Sequence, residues 1–405
     1  MVRGDGDPHR LMRVALVVPR YGATILGGAE TQCRQYAERL AAAGNDVQVL
    51  TTCAGDHRTW ANDLPPGTTT LNGVRVRRFP VSRVPDPAAR ARLEERLAGT
   101  GGLSRDEQDE WLGNSGYSEP LLEGIRATSS GVDALYFIPY LFPSTVYGAR
   151  ICPEKSVINS CLHDEPYARF ETIQDSLRGA AGLIFNTAAE GRLGARLLGT
   201  ERPHRVVGLG FDPERPRHPE EFARRHRMSA DSIIYAGRRE SGKNWPLLVE
   251  WTTVYNQALS ARGPVRLAAM GGGREPLPPR GEAVVHDLGF VADADKLDAL
   301  AASLALVQLS RNESFSFVVI EAWLAGVPVI VHADCPVTRE HCERSGGGLW
   351  VRSAEEFAEA LDRLRADPDL RRRMAMAGRE YVLANYRWTS VVERLEGALR
   401  ELVAS

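Results

Sequence analysis

A chain of 405 residues is longer than one ordinary hydrophobic core supports and suits two domains of typical size. With 43% hydrophobic and 25% charged residues it has the balance of a globular protein, and its net charge of −2 excludes the basic surplus that a nucleic-acid binder needs to neutralise phosphates. No apolar run approaches the roughly 20 residues of a membrane span, and the polar stretch Met1 to Arg10 has no apolar signal region, so a cytoplasmic protein is expected.

The run Arg13-Val-Ala-Leu-Val-Val-Pro19 reads as a buried parallel strand, because its β-branched residues are continuous rather than alternating. A loop from Tyr21 to Gly28 leads into a helix from Ala29 to Ala43, stopped by Gly44, and Asp46 to Thr52 is a second strand. Strand, loop, helix and strand make a βαβ unit, the seed of a doubly wound sheet. Residues 74–81 add a strand. The stretch from Ser82 to Tyr117, rich in Arg, Glu, Pro and Gly, fits no strand and is expected to be a helical excursion, about 82–120, over the top of the domain.

The α/β pattern resumes at 134–138, 156–159, 182–185 and 205–207, passes a Gly/Pro/charged stretch from Gly208 to Pro219, and restarts at Ile233-Ile-Tyr-Ala236. Further strands are expected at 265–270, 284–288, 304–309, 327–331 and 348–351, and helices at 354–365, 368–384 and 388–402. Two doubly wound halves joined near residue 212 is the economical α/β architecture. The six cysteines are scattered without a C-x-x-C pair and read as reduced core thiols, with no metal site.

Doubly wound sheets bind ligands at the carboxyl ends of their strands, so the loops there carry the chemistry. After Ala236 comes Gly237-Arg238-Arg-Glu-Ser-Gly-Lys243-Asn-Trp245, in which Arg238 and Lys243 frame a short loop ahead of a helix. Two cations there can neutralise a diphosphate without a divalent ion; a solvated surface loop is the bland alternative. Lys155, Lys243 and Lys296 are the only lysines among 50 basic residues, which tilts Lys243 towards a role.

The segment from Ser310 to Ile330 joins a strand end, a helix and the next strand. Glu313, with Ser314, Phe315 and Ser316, precedes the helix, where the amides of Phe315 and Ser316 offer an anion site. Glu321 lies among Phe317-Val-Val-Ile320 and Ala322-Trp-Leu-Ala325, where a carboxylate is costly unless it accepts hydrogen bonds. A vicinal diol would satisfy it, and so would a structural Arg, leaving Glu313 as a cap. Near the N-terminus, Gly27-Gly28 opens the first helix and lets backbone approach a phosphate or sugar, unless it is a plain tight turn. His163, in Cys161-Leu-His163-Asp164-Glu165, follows the strand 156–159; a lone histidine more often caps or packs than catalyses, but its three polar neighbours favour a role here.

Together these residues resemble the retaining nucleotide-sugar glycosyltransferases of the GT-B fold, specifically glycosyltransferase family 4. The resemblance runs in order through Gly27-Gly28, His163-Asp164, Phe185-Asn-Thr187 with Glu190, Gly208-Leu-Gly-Phe-Asp212, Arg238 with Lys243, and Glu313-x7-Glu321 followed by Ala325-Gly-Val-Pro328. It implies two Rossmann-like domains facing a central cleft: residues 1–211 on the acceptor side, 212–386 for the nucleotide sugar, and a helix in 387–405 crossing back to the first domain. It implies a hexosyl transfer, metal-independent and without cofactor, from a UDP-sugar first and a GDP-sugar next, to a small-molecule, glycan or glycolipid acceptor. Arg238 and Lys243 would grip the diphosphate, Glu321 the ribose and Glu313 the sugar hydroxyls. The nucleobase would meet the backbone around Gly289-Phe290-Val291, His163 would sit by the anomeric carbon, and Gly28 beside the distal phosphate.

The family retains anomeric configuration by front-face attack, in which the leaving phosphate takes the acceptor's proton, so no side-chain base is required. Ser316 departs from the glycine common at its position, and 82–120 has no family counterpart. Trp111 or Tyr117 is a candidate stacking platform for an acceptor sugar there, with Asp164 another acceptor contact, and ordinary surface elaboration is the alternative. A nucleotide-sugar epimerase would need several acidic groups and a histidine around the anomeric carbon and lacks the Glu313-x7-Glu321 arrangement. A phosphorylase would need a cofactor-bearing lysine, and neither Lys243 nor Lys296 has that context. A non-catalytic sugar-nucleotide-binding relative fits poorly with intact His163, Arg238, Lys243, Glu313 and Glu321.

Overall fold

Short apolar runs buried on both faces become parallel strands, and this chain distributes them over two sheets. The computed structural model describes residues 11–404 apart from 26, 200, 261, 274 and 279, so the polar stretch Met1 to Arg10 lies outside the described residues. Two compact units result, one of residues up to Leu209 together with Trp388 onward, the other Gly210–Arg387.

The first unit begins β1 (Arg13–Val17), α1 (Gly28–Ala42), β2 (Asp46–Thr52), β3 (Gly67–Leu71) and β4 (Val74–Phe79). It continues α2 (Pro87–Thr100), α3 (Arg105–Gly113), α4 (Glu119–Ser129), β5 (Ala134–Phe137), α5 (Pro143–Val146) and β6 (Ser156–Asn159). It then runs α6 (Glu171–Gly179), β7 (Gly182–Phe185), α7 (Ala188–Leu198) and β8 (His204–Val206). The sheet order is β3-β4-β2-β1-β5-β6-β7-β8, parallel except for the β3–β4 hairpin. Strand order therefore reverses between β1 and β5, and β6, which precedes His163, is the next strand along.

The stretch expected as an excursion over the top is helical but lies in the core. Leu93 and Leu97 of α2 and Trp111 and Leu112 of α3 bury in one cluster with Phe137 and Ile158. Asp86 and Ser104 cap these helices, the second in a full capping box with Glu107, which starts each of them in a polar sequence.

The second unit holds α8 (Pro219–Arg225), β9 (Ile233–Ala236), α9 (Trp245–Val254), β10 (Leu267–Met270), β11 (Val285–Gly289), α10 (Asp293–Ala301) and β12 (Leu306–Gln308). It ends with α11 (Phe317–Leu324), β13 (Val329–His332), α12 (Pro336–Ser345), β14 (Gly348–Val351), α13 (Ala354–Ala366) and α14 (Pro368–Asn385). Its sheet is all parallel in the order β11-β10-β9-β12-β13-β14, so the reversal falls between β9 and β12. The last helix, α15 (Trp388–Ala404), packs in the first unit and buries Val391, Leu395, Ala398 and Leu402 there at helical spacing. Burial stabilises by about 1.5–3 kcal/mol for each Val or Leu. None of the six cysteines, all among the described residues, is in a disulfide; five are buried and Cys161 is half-buried. Among the described residues no helix is long and apolar enough to cross a membrane.

Candidate functional site

In the second unit the loops after β9 and β12 adjoin at the reversal of strand order, where doubly wound sheets open a crevice. Asn244 ties the two together, its Nδ2 donating to the Leu309 carbonyl at 2.8 Å. The loop after β9 also leans on the one after β10: the Arg239 amide donates to the Gly272 carbonyl at 2.8 Å. A Cβ at Gly273 would stand 2.5 Å from the Arg239 carbonyl oxygen, so a side chain there would push the loop away.

This loop presents both expected cations. The Arg238 side chain is 61% exposed and pairs at 3.0 Å with Glu240 beside it, which leaves the guanidinium open to a ligand. Lys243 ends a single 3₁₀ turn, Ser241–Lys243, and its Nζ donates to Glu313 Oε1 at 2.8 Å. Loops after β9 and β12 therefore meet through opposite charges as well as through Asn244.

The chain then enters α11 through Ser316, which sits at φ 72° and ψ 82°, in left-handed space where a Cβ is disfavoured. Glycine would suit that backbone better. Ser316 is 6% exposed, and among the described residues its hydroxyl has no hydrogen-bond partner. Phe315 is 2% exposed and stacks among Phe211, His341 and Tyr386, so only its backbone can meet a ligand. No side chain caps α11, which leaves its first amides to other acceptors.

One turn into α11, Glu321 Oε1 accepts from Lys296 Nζ at 2.6 Å, while Oε2 is buried with no partner among the described residues. The structural Arg weighed for it is replaced by a lysine from α10, and one oxygen stays unused. Lys296 was not expected at the site; its signal was its rarity. Phe290 follows β11 and precedes α10, and at 71% exposed its ring is open to solvent.

In the first unit, Gly27 is the uncapped N-cap of α1, and a Cβ at Gly28 would meet nothing within 4 Å. The front of this helix is therefore open at Gly28, whereas a Cβ at Gly27 would run into Glu30 Oε2. Beside it Arg20 and Glu30 pair at 2.5 Å with side chains only 8% and 10% exposed. His163 is partly exposed, its Nδ1 3.8 Å from Glu165 Oε1, which accepts from the Tyr140 hydroxyl at 2.5 Å.

Asp164 is held at 2.6 Å by both Arg169 and Arg196, and Arg169 foremost keeps its carboxyl below the usual range. Trp111 corrects the sequence expectation outright: it is fully buried, its ring 4.4 Å from Tyr167 and its Nε1 donating to Glu94. It has no free face for a sugar. Tyr117 is partly exposed, but its hydroxyl donates to Glu119 and its ring meets Tyr147 edge-on.

Residues 220–381 match the family model of glycosyl transferases group 1. The chain is 27% identical to D-inositol 3-phosphate glycosyltransferase of Acidothermus cellulolyticus, over 98% of this chain and 92% of that protein. A stretch is 37% identical to the GDP-mannose-dependent alpha-(1-6)-phosphatidylinositol monomannoside mannosyltransferase of Mycobacterium tuberculosis, covering 22% of this chain and 23% of that one. Among solved structures, the fold is similar to sucrose-phosphate synthase from Thermosynechococcus elongatus, with a TM-score of 0.72, 19% identity, and 97% and 99% of the two chains covered. Anabaena HepE in complex with UDP and glucose has a TM-score of 0.69 at 15% identity, with 96% and 99% covered.

Proposed function

This chain belongs to the glycosyl transferases group 1 of the GT-B fold and moves a sugar from a nucleotide sugar, and from that premise we propose a metal-independent, retaining transfer in which the second unit holds the donor. The observation that carries the donor assignment is Glu321. A buried carboxylate oxygen without a partner is costly, and a ribose hydroxyl donating to Oε2 removes that cost while Lys296 keeps Oε1.

The diphosphate lies between Arg238 and Lys243, and the donor sugar's hydroxyls bond Glu313. The uncapped amides of α11 and the Ser316 hydroxyl add donors for the same ligand. Exposed Phe290 offers its face to the nucleobase. UDP is the expected carrier and GDP the next.

In the transfer, the bond from the anomeric carbon to the leaving phosphate oxygen breaks and a bond to the acceptor oxygen forms on the same face. The acceptor's proton passes to the leaving phosphate. Arg238 and Lys243 stabilise the charge that develops there, a role that is electrostatic rather than acid–base. His163 and the helix start at Gly27-Gly28, open at Gly28, serve the sugar and the distal phosphate, and a small-molecule, glycan or glycolipid hydroxyl is the acceptor.

Calorimetric titration of the full chain with UDP and with GDP, each in EDTA, tests this. Binding of one of them is expected, weakened in Lys243→Ala. Loss of binding in EDTA would overturn the metal-independent assignment, and equal binding by Lys243→Ala would remove that residue from the site.

A further inference from the structure

The first unit contains a buried polar network that the transfer as proposed leaves unused. Glu190 of α7 is 1% exposed, yet its carboxylate faces amides and a hydroxyl: Oε1 accepts from the Leu162 amide at 2.6 Å and the Ser160 hydroxyl at 3.3 Å, and Oε2 from the Asn186 amide at 2.6 Å. Those donors come from two strand ends, after β6 and after β7. Asn186, also 1% exposed, extends the network, its Oδ1 accepting from Gln32 of α1 at 2.7 Å and from Asn159 at 3.2 Å. Gln32 lies one turn into the helix that Gly27 and Gly28 open.

Apolar side chains would fill this space at less cost than a buried carboxylate does, so the network asks for a reason. The loop it grips supplies one. Cys161, between Ser160 and Leu162, stands at φ 49°, a left-handed conformation that a residue with a Cβ disfavours. Disfavoured backbone persists only where its surroundings over-determine it, and such residues gather at functional sites. The strained residue lies two positions before His163, and Glu190 bonds its neighbours on both sides.

We propose that Glu190, seconded by Asn186, is a positioning residue for the transfer: it clamps residues 160–162 so that His163 is presented in fixed register. This rests on His163 acting in the transfer, as proposed above. Glu190 touches no substrate; it acts through the loop.

The test compares Glu190→Gln, His163→Ala and the double variant in the full chain, reading nucleotide release from the donor sugar and, separately, affinity for the free nucleoside diphosphate. Glutamine has one acceptor oxygen for two amides, so the clamp opens on one side. Glu190→Gln should lower turnover roughly 10- to 100-fold, as small misplacements near the chemistry do. Nucleotide affinity should stay within about twofold, and there should be no further loss of turnover in the His163→Ala background.

Unchanged turnover in Glu190→Gln, beside a clear loss in His163→Ala, overturns the positioning role alone. So does a loss that is undiminished in the His163→Ala background, because it would not act through His163. Unchanged turnover in His163→Ala overturns the assignment of His163 and the clamp with it. If Glu190→Gln does not fold, Ser160→Ala and Gln32→Met loosen the same network at its margins. Both should lower turnover at constant nucleotide affinity, and unchanged turnover in both overturns the proposal.

Discussion

Glu321→Gln removes one charge, keeps the shape, and separates a ligand-binding carboxylate from a structural one. The Lys296–Glu321 pair is 2.6 Å long with side chains 29% and 17% exposed, so Lys296 can turn its ammonium to water when the charge is lost. A pair so placed contributes about 1 kcal/mol or less to folding. A hydrogen bond from a ligand hydroxyl to the buried Oε2 is charge-assisted and contributes about 1.5–3 kcal/mol, or roughly 10- to 150-fold in Kd. Calorimetry with the preferred nucleoside diphosphate reads the second quantity and a melt of the unliganded protein reads the first. Weakened binding with a nearly unchanged melt is expected. Unchanged Kd with a fall of many degrees in Tm would refute the reasoning and make Glu321 a structural residue.

Trp111→Ala should destabilise the first unit by about 3–5 kcal/mol in urea unfolding without changing nucleotide affinity, as loss of a core indole does; lost transfer at intact stability would restore the stacking role. Ser316→Gly relieves ~1–2 kcal/mol of left-handed strain and adds ~0.5–1 kcal/mol of backbone freedom on unfolding, so the unliganded Tm should rise slightly while donor affinity falls; tighter donor binding would mean that the hydroxyl is no contact. His341 is fully buried, and burial pushes its pKa down to about 4 from 6.5. Below pH 6.5 the unfolded chain takes up a proton that the folded one refuses, so up to about 3 kcal/mol of stability, intact above that pH, is lost as pH falls to about 4. His341→Gln should flatten that limb of the stability profile, and an identical slope in the variant would place the titration elsewhere.

Strands such as β1, β9 and β13 were legible because burial on both faces writes a continuous apolar run. The missed strand, β3, is Gly-Thr-Thr-Thr-Leu, nearly all exposed on an antiparallel edge, where no burial pattern marks it. Trp111 was misjudged because its helix is mostly charged. Its inward stripe, Gln108, Trp111 and Leu112, has the helical spacing of a core face, but only two apolar members. At the candidate site, Arg238 with Lys243 and Glu313 with Glu321 stood out as candidates from a strand-end loop and a carboxylate in an apolar helix, while the family resemblance supplied their roles. Lys296 did not stand out, since its partner lies 25 residues away on another helix. The clamp at Glu190 was half visible: Thr187-x-x-Glu190 is a helix start, but the Leu162 amide reaches it across 28 residues.

The donor site can be tested most directly by mass spectrometry of the full chain, and of its Lys243→Ala and Glu321→Gln variants, incubated separately with UDP- and GDP-sugars in EDTA. The wild type should release nucleoside diphosphate from one of these donor classes, by slow hydrolysis where no acceptor is present, and both variants should release markedly less. No release from any donor, or release at the wild-type rate by both variants, would contradict a donor held by Arg238, Lys243, Glu313 and Glu321.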